Sequence, residues 1–91
     1  MSLLYAGFTG KLTGRVIDAT TATPLLGCNI VAENTVLGAG TDVNGYFTIF
    51  NIPPGTYSIR AEMIGYGEMI YTDVVVNIDL TTTLEFALTI E

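Results

Sequence analysis

A chain of 91 residues with a formal net charge of −6 is long enough for one domain and too short for two. Hydrophobic residues make up 49% of it and charged residues 13%, which excludes an intrinsically disordered tail. Three basic residues against nine acidic ones exclude a nucleic-acid-binding surface, because such a surface needs a face rich in lysine and arginine. The lack of histidine, together with a single cysteine, argues against a zinc site and against nucleophile–histidine pairs.

The start of the chain, residues 1–10, is expected to be an added leader followed by a flexible lead-in. Met1-Ser2-Leu3 is typical of a leader that precedes the native sequence. The next three residues, Leu4-Tyr5-Ala6, resemble the end of a signal peptide cleaved after Ala6, and a disordered native lead-in is the alternative. We expect no membrane-spanning segment, because no stretch approaches the roughly eighteen apolar residues that a spanning helix needs.

Residues 11–90 are expected to form the folded domain, with strands and no helix, because apolar and polar side chains alternate with a period of two. The predicted strands lie at about 11–18, 27–33, 39–42, 46–51, 56–64, 69–78 and 83–90. Turn signals separate them about every ten residues, which is typical of an antiparallel sandwich. The sequence therefore predicts an all-β, seven-stranded antiparallel β-sandwich, in which two sheets pack face to face and bury the inward row of each strand.

The second predicted strand places Cys28 in an inward row with Ile30 and Ala32. A cysteine among apolar neighbours behaves as a small hydrophobic residue, so we expect Cys28 in the core. A reactive thiol would need a neighbouring base or cation, and the sequence has no histidine. In the seventh predicted strand, Leu88 and Ile90 are expected to share the inward row.

Between the third and fourth strands, Asp42-Val43-Asn44-Gly45 predicts a tight hairpin, because Asn-Gly tolerates the positive φ angles of such turns. The same residues resemble half of a calcium loop. An EF-hand frame starting at Asp42 would place its last ligand at Pro53, where a glutamate is needed. We therefore predict a turn here, and we assign no metal ligand, cofactor or catalytic residue in this sequence.

Four aromatic residues, Tyr46, Phe50, Tyr66 and Tyr71, are predicted to lie outside the core and to form an interaction surface. Aromatic rows also stack on sugars, so carbohydrate binding stays open. Cross-strand pairing that stabilises the sheet is the structural alternative. Tyr66 follows Gly65, and it can instead be a packed corner residue.

Several blocks of sequence, taken in order, resemble the signature of one family. They are Gly14-Arg15-Val16-Ile17-Asp18, Thr23-Pro24-Leu25-Leu26-Gly27-Cys28-Asn29-Ile30, Gly40-Thr41-Asp42-Val43-Asn44-Gly45-Tyr46-Phe47-Thr48-Ile49, Ile52-Pro53-Pro54-Gly55-Thr56-Tyr57 and Ile64-Gly65-Tyr66. Across roughly residues 11–90 the chain resembles carboxypeptidase-regulatory-like domains. The resemblance implies a transthyretin-like (prealbumin-like) Greek-key sandwich.

The resemblance also implies a function class. Such domains lie beside the catalytic domain of some metallocarboxypeptidases, near the N-terminus of bacterial TonB-dependent receptors of the outer membrane, and in surface proteins. We therefore expect a non-enzymatic accessory domain of a larger exported bacterial protein in the cell envelope or at the cell surface. Its expected partners are neighbouring domains and a protein or glycan. The alternatives are a carbohydrate- or peptide-binding module that uses exposed aromatics, and a regulatory domain beside a metallocarboxypeptidase.

Overall fold

The structure of the protein, a computed structural model, describes residues 8–91. Within this range the chain forms seven strands in two sheets, and it contains no helix long and apolar enough to cross a membrane. The all-β class predicted from the alternation of side chains is confirmed. The predicted leader and the signal-peptide remnant at residues 4–6 lie outside the described residues.

All seven predicted strands are present, each within two residues of its predicted bounds. The strands are β1 Gly10–Asp18, β2 Asn29–Ala32, β3 Gly38–Gly40, β4 Tyr46–Ile52, β5 Gly55–Glu62, β6 Met69–Val76 and β7 Thr81–Leu88. Sheet A has the order β4-β1-β7, and sheet B has the order β3-β2-β5-β6. The two sheets form the sandwich expected from the family resemblance.

The strand pairs are antiparallel, with the exception of β1 and β7. These two strands run parallel in register from the pair Lys11–Thr81 to the pair Asp18–Leu88. Alternating side chains specify which face of a strand is buried, and they carry no information on the direction of its neighbour. The parallel pair is therefore a feature that the sequence pattern did not reveal.

The strand directions divide the loops between two ends of the sandwich. At the entry end, β1 begins, and the connections 33–37, 53–54 and 77–80 lie there. At the exit end, β7 stops, and the loops 19–28, 41–45 and 63–68 lie there together with residues 89–91. Because β1 and β7 are parallel neighbours, the chain enters at one end and leaves at the other.

The core is built from the inward rows of both sheets, as the alternation predicts. Its largest fully buried side chains are Phe86, Leu12, Ile30, Ile52, Ile59, Leu88, Val16, Val76 and Cys28. The thiol of Cys28 donates to the carbonyl oxygen of Glu62 at 3.5 Å. Burial raises the pKa of Cys28 to about 11, so the thiol stays protonated near neutral pH and acts as a core residue.

The predicted turn at residues 42–45 is present. Gly45 has a φ of +81°, and its N–H donates to the carbonyl oxygen of Asp42 at 2.9 Å. One carboxylate oxygen of Asp42 accepts from the N–H groups of Asn44 and Tyr46, each at 2.9 Å. The turn connects β3 of sheet B with β4 of sheet A, so it joins the two sheets and does not close a hairpin within one sheet.

Two β-bulges interrupt the edge strands β4 and β6. The register of β1 with β4 shifts beside Asn51, and that of β5 with β6 shifts beside Asp73. Both residues have a left-handed backbone, with φ values of 55° and 57°, which asparagine and aspartate tolerate better than most side chains. Bulges increase the local twist of an edge strand, and this protects a sheet edge from pairing with another chain.

The end of β7 differs from the prediction. The strand stops at Leu88, and Ile90 is 68% exposed instead of continuing the inward row. The chain turns towards sheet B, where the N–H of Gly67 donates to the carbonyl oxygen of Thr89 at 2.8 Å. The N–H of Glu91 donates to the carbonyl oxygen of Gly65 at 3.0 Å. Residues 89–91 therefore connect the end of sheet A to the loop between β5 and β6.

Candidate functional site

The structure places the four predicted aromatic residues in three different settings. Tyr46 and Phe50 lie on the outer face of β4, where they are 52% and 65% exposed. Tyr66 lies in the loop at the exit end, and Tyr71 lies on β6 and packs against the core. Only Tyr46 and Phe50 share a face, and their spacing of four positions along the strand puts them about 13 Å apart.

Tyr66 is a packed corner residue, which was the alternative to a place on an exposed aromatic surface. Its hydroxyl donates to one carboxylate oxygen of Asp18 at 2.8 Å, and the other oxygen accepts from the N–H groups of Thr20 and Thr21. These hydrogen bonds, the one from Tyr66 first, lower the pKa of Asp18. The same carboxylate raises the pKa of Tyr66. The pair connects the end of β1 to the loop that follows β5.

Tyr71 closes the seam between β6 of sheet B and β7 of sheet A. Its hydroxyl donates to the carbonyl oxygen of Glu85 at 2.6 Å, and its ring centroid lies 5.0 Å from that of Phe86. Further along the seam, the hydroxyl of Thr82 donates to the carbonyl oxygen of Val75 at 2.9 Å. These contacts cover the outer edge of β7, which lies at the border of its sheet.

The outer face of sheet A, called here the sheet-A face, carries one aromatic ring beside a cation. The guanidinium carbon of Arg15 lies 5.2 Å from the ring centroid of Tyr46, which is a cation–π distance. Thr13 lies between Thr48 of β4 and Thr83 of β7 in the strand register, so three hydroxyls form a row across the sheet. The hydroxyl of Thr13 donates to the carbonyl oxygen of Phe47 at 2.8 Å and lies 3.2 Å from the hydroxyl of Thr48, so the groups that this face offers to a ligand are chiefly the Tyr46 ring and the Thr83 hydroxyl.

The exit end holds an open groove of about 620 Å³. Its lining includes Glu62, Met63, Ile64, Tyr66, Glu68 and Glu91. Nothing in the sequence pattern indicates this groove, because its lining combines three separate segments, at residues 27–29, 62–68 and 91, which the pairing of β2 with β5 and of residues 89–91 with the β5–β6 loop brings together. We call it the exit-end groove.

Arg60 pairs with one of the three glutamates that line the exit-end groove. Its guanidinium lies between Glu33, at 3.3 Å, and Glu62, at 3.4 Å. Surface ion pairs of this kind stabilise a fold by little. No group of three or more His, Cys, Asp and Glu side chains within residues 8–91 could hold a metal ion.

Solved structures share this fold at low sequence identity. A chain of a type II cohesin–X-dockerin complex from Acetivibrio cellulolyticus is 23% identical with a TM-score of 0.70, over 85% of this chain and 52% of that one. A minor pilin of Streptococcus agalactiae is 17% identical with a TM-score of 0.63, over 94% of this chain and 46% of that one. A protein of Bacteroides uniformis proposed to bind carbohydrate is 15% identical with a TM-score of 0.64, over 86% of this chain and 40% of that one. The chain thus spans about half or less of each of these proteins.

The sequence itself matches one family profile. No curated protein sequence matches the chain. The profile of the carboxypeptidase regulatory-like domain matches residues 11–89, a range that includes nearly all of the seven strands. This match confirms the resemblance carried by the ordered sequence blocks. The chain therefore belongs to the carboxypeptidase regulatory-like domain family.

Proposed function

We propose that this chain is a non-catalytic accessory domain that stands in line with other domains of an exported bacterial protein and keeps them apart. The observation that carries the proposal is the parallel pairing of β1 and β7. A preceding domain and a following domain would attach at opposite ends of the sandwich. Strands of eight or nine residues hold those ends about 30 Å apart.

Family membership and the structural neighbours support this role. Related folds are parts of longer chains, and one of them is a pilin of a bacterial pathogen. The parent protein that we favour is an outer-membrane TonB-dependent receptor or another surface protein, which places the domain in the cell envelope. A regulatory domain beside a metallocarboxypeptidase is the alternative parent within the same family.

The spacing role is tested by placing one copy and then two copies of the domain between a donor and an acceptor fluorescent protein. The in-line geometry predicts that energy transfer falls with each added copy, because each copy adds about 30 Å. A flexible linker with as many residues serves as the control, since its end-to-end distance grows only with the square root of its length. Energy transfer that does not fall with the second copy would contradict the proposal.

A second candidate function, carbohydrate binding, is favoured by the sheet-A face alone. The exposed ring of Tyr46 beside Arg15, with the threonine row next to it, combines a stacking surface with hydroxyl groups. A glycan array would test it with the wild-type chain and the Tyr46→Ala variant. Saturable glycan binding that Tyr46→Ala abolishes would favour this second function. Binding that the variant keeps would count against the sheet-A face as the site.

A further inference from the structure

One peptide bond in the turn at residues 42–45 is chemically labile. Asn44 is the only asparagine in the sequence that a glycine follows, and a β-branched residue follows each of the others. In an Asn-Gly pair, the backbone nitrogen of the glycine can attack the side-chain amide of the asparagine, because glycine has no side chain to shield that nitrogen. Asn44 is also exposed to water. Within this chain, the attack is therefore least hindered at Asn44.

Hydrogen bonds fix the peptide bond between Asn44 and Gly45 on both sides. The Nε of Arg15 donates to the carbonyl oxygen of Asn44 at 3.1 Å, and the N–H of Gly45 donates to the carbonyl oxygen of Asp42 at 2.9 Å. The attack uses the deprotonated nitrogen of Gly45, and it requires the peptide plane to turn towards the side-chain amide. Loss of the proton breaks the hydrogen bond to Asp42, and the rotation breaks the one from Arg15 as well. The closed turn therefore withholds the attacking nitrogen.

We propose that Asn44 is a site of spontaneous deamidation that reacts when this turn opens, and that its isoaspartate product keeps the turn from closing again. In the open turn, the nitrogen of Gly45 loses its proton and bonds to the side-chain carbonyl carbon of Asn44. The side-chain nitrogen leaves as ammonia and takes up that proton by way of water. Water then adds to one of the two carbonyl carbons of the cyclic imide and breaks its bond to nitrogen, and the product is aspartate or isoaspartate. No group is oxidised or reduced.

The isoaspartate product does not fit the closed turn. Its backbone runs through the former side chain, so one more carbon atom lies between residues 44 and 45. Gly45 cannot shift to make room, because its carbonyl oxygen accepts from the N–H of Val16 at 2.8 Å. Even an added Cβ on Gly45 would lie 2.5 Å from the carbonyl oxygen of Val16 and 3.1 Å from a carbon of Pro24. The extra atom therefore displaces the residues that the Asp42 carboxylate holds, in the turn that joins the two sheets.

The test compares the full chain in its folded state and in its urea-unfolded state at pH 8 and one temperature. The products at each asparagine are quantified by digestion and by mass spectrometry that distinguishes aspartate from isoaspartate. Asn44 is expected to react first in both states. In the folded chain it is expected to react about a hundredfold more slowly, because two hydrogen bonds, one of them from a charged group, must break. A reaction that requires opening follows the population of the open form.

Variants then identify the contact that holds the turn closed. Arg15→Met removes the donor to the carbonyl oxygen of Asn44, and it is expected to raise the rate in the folded chain about fivefold. Lys11→Met is the matched control, because it removes the same charge from the other end of the same strand. It is expected to leave the rate unchanged. In urea the wild type and both variants are expected to react equally fast, because the turn is absent there.

The stability of the product tests the second half of the proposal. Ion exchange separates the reacted chains, because they carry one more negative charge than the wild type. In this fraction, the share of chains that unfolds at a lower urea concentration is expected to equal the share that contains isoaspartate. Asn44→Asp carries the same charge on an unaltered backbone, and it is expected to unfold close to the wild-type urea concentration.

Several results would overturn the proposal. They are equal rates in the folded and unfolded chain, faster reaction at another asparagine, and equal rates in Arg15→Met and Lys11→Met. A slower reaction in Arg15→Met would also overturn it, because Arg15 would then promote the attack within the closed turn. The same holds if the isoaspartate form is as stable as the wild type, or if it loses no more stability than Asn44→Asp does. The spacing role does not enter any of these measurements.

Discussion

Replacing Gly14 by alanine adds a methyl group where the backbone of β1 closely approaches the backbone of β7 and an aromatic ring of β4. Gly14 is buried in the middle of β1, the central strand of that sheet. An added Cβ would overlap the carbonyl oxygen of Leu84 and would lie 2.7 Å and 2.8 Å from two ring carbons of Phe47. The ring of Phe47 packs against Phe86 in turn, with centroids 6.1 Å apart. The methyl group therefore has no free volume.

The cost of Gly14→Ala follows from which atoms must move. Overpacking a core costs about 1–3 kcal/mol, and the Leu84 carbonyl belongs to a strand paired with Gly14, so it cannot turn away as a flexible side chain can. Replacing a strand glycine by alanine in itself stabilises the fold by only about 0.5–1 kcal/mol, because alanine loses less backbone entropy on folding. Because the overlap is with a backbone atom, the overpacking cost lies at the upper end of its range, and we expect a net loss of about 2 kcal/mol, a large part of the roughly 5–13 kcal/mol expected for a chain of this size. The corresponding fall in Tm is about 8–16 °C.

Urea unfolding followed by circular dichroism measures this loss, and Gly40→Ala provides the matched control. Gly40 lies on the edge strand β3, and the nearest atom to an added Cβ there is the carbonyl oxygen of Cys28 at 3.9 Å, an ordinary contact. The control is expected to stay within about 0.5 kcal/mol of the wild type. The reasoning is refuted if Gly14→Ala unfolds at the wild-type urea concentration, or if both variants lose the same stability.

Three further outcomes are expected. Thr41→Val should destabilise the fold by about 1–3 kcal/mol, because the buried hydroxyl of Thr41 accepts a hydrogen bond from the N–H of Cys28. The control Thr48→Val, on the outer face of sheet A, should change the urea midpoint far less. Hydrogen bonds lower the pKa of Asp18 in the folded protein below its ordinary 3.8. The ionised Asp18 therefore stabilises the fold fully above pH 3.8, and this stabilisation is lost as the pH falls through the pKa of the folded state. Urea titrations from pH 7 to pH 2.5 should show a smaller acid-dependent loss in Tyr66→Phe and Asp18→Asn than in the wild type, and parallel curves would contradict this assignment. The thiol of Cys28 should react with a disulfide reagent at pH 8 only as fast as the protein unfolds, and rapid labelling of the folded protein would contradict its burial.

The fold was predictable because side-chain alternation and turn residues are local signals. The inward row of Cys28, Ile30 and Ala32 is fully buried, as the alternation of polar and apolar residues indicates. Gly45 has the positive φ that its Asn-Gly turn predicts. Each of these features depends on a few consecutive residues, which the sequence displays directly.

The remaining features depend on contacts between distant segments. The hydroxyls of Tyr66 and Tyr71 have partners 48 and 14 residues away, so nothing beside either tyrosine in the sequence indicates how exposed it is. The bulge at Asn51 is defined by the pairing of β4 with β1, so the asparagine by itself does not indicate a bulge in the sequence. The exit-end groove combines residues 27–29, 62–68 and 91, which are distant in the sequence and are brought together by strand pairing. These parts of the molecule required the three-dimensional structure.

The parallel pairing of β1 and β7 has a mechanical consequence. A pull on the two ends of the chain drags these neighbouring strands in opposite directions along their own axes, so the eight paired positions between them are strained together and not one after another. The two hydrogen bonds that join residues 65–67 to residues 89–91 lie outside this ladder and would yield first. Forced unfolding follows the unfolding rate and not the equilibrium stability, and shearing a whole ladder at once is slow. A domain with this strand arrangement is suited to bearing tension along its long axis.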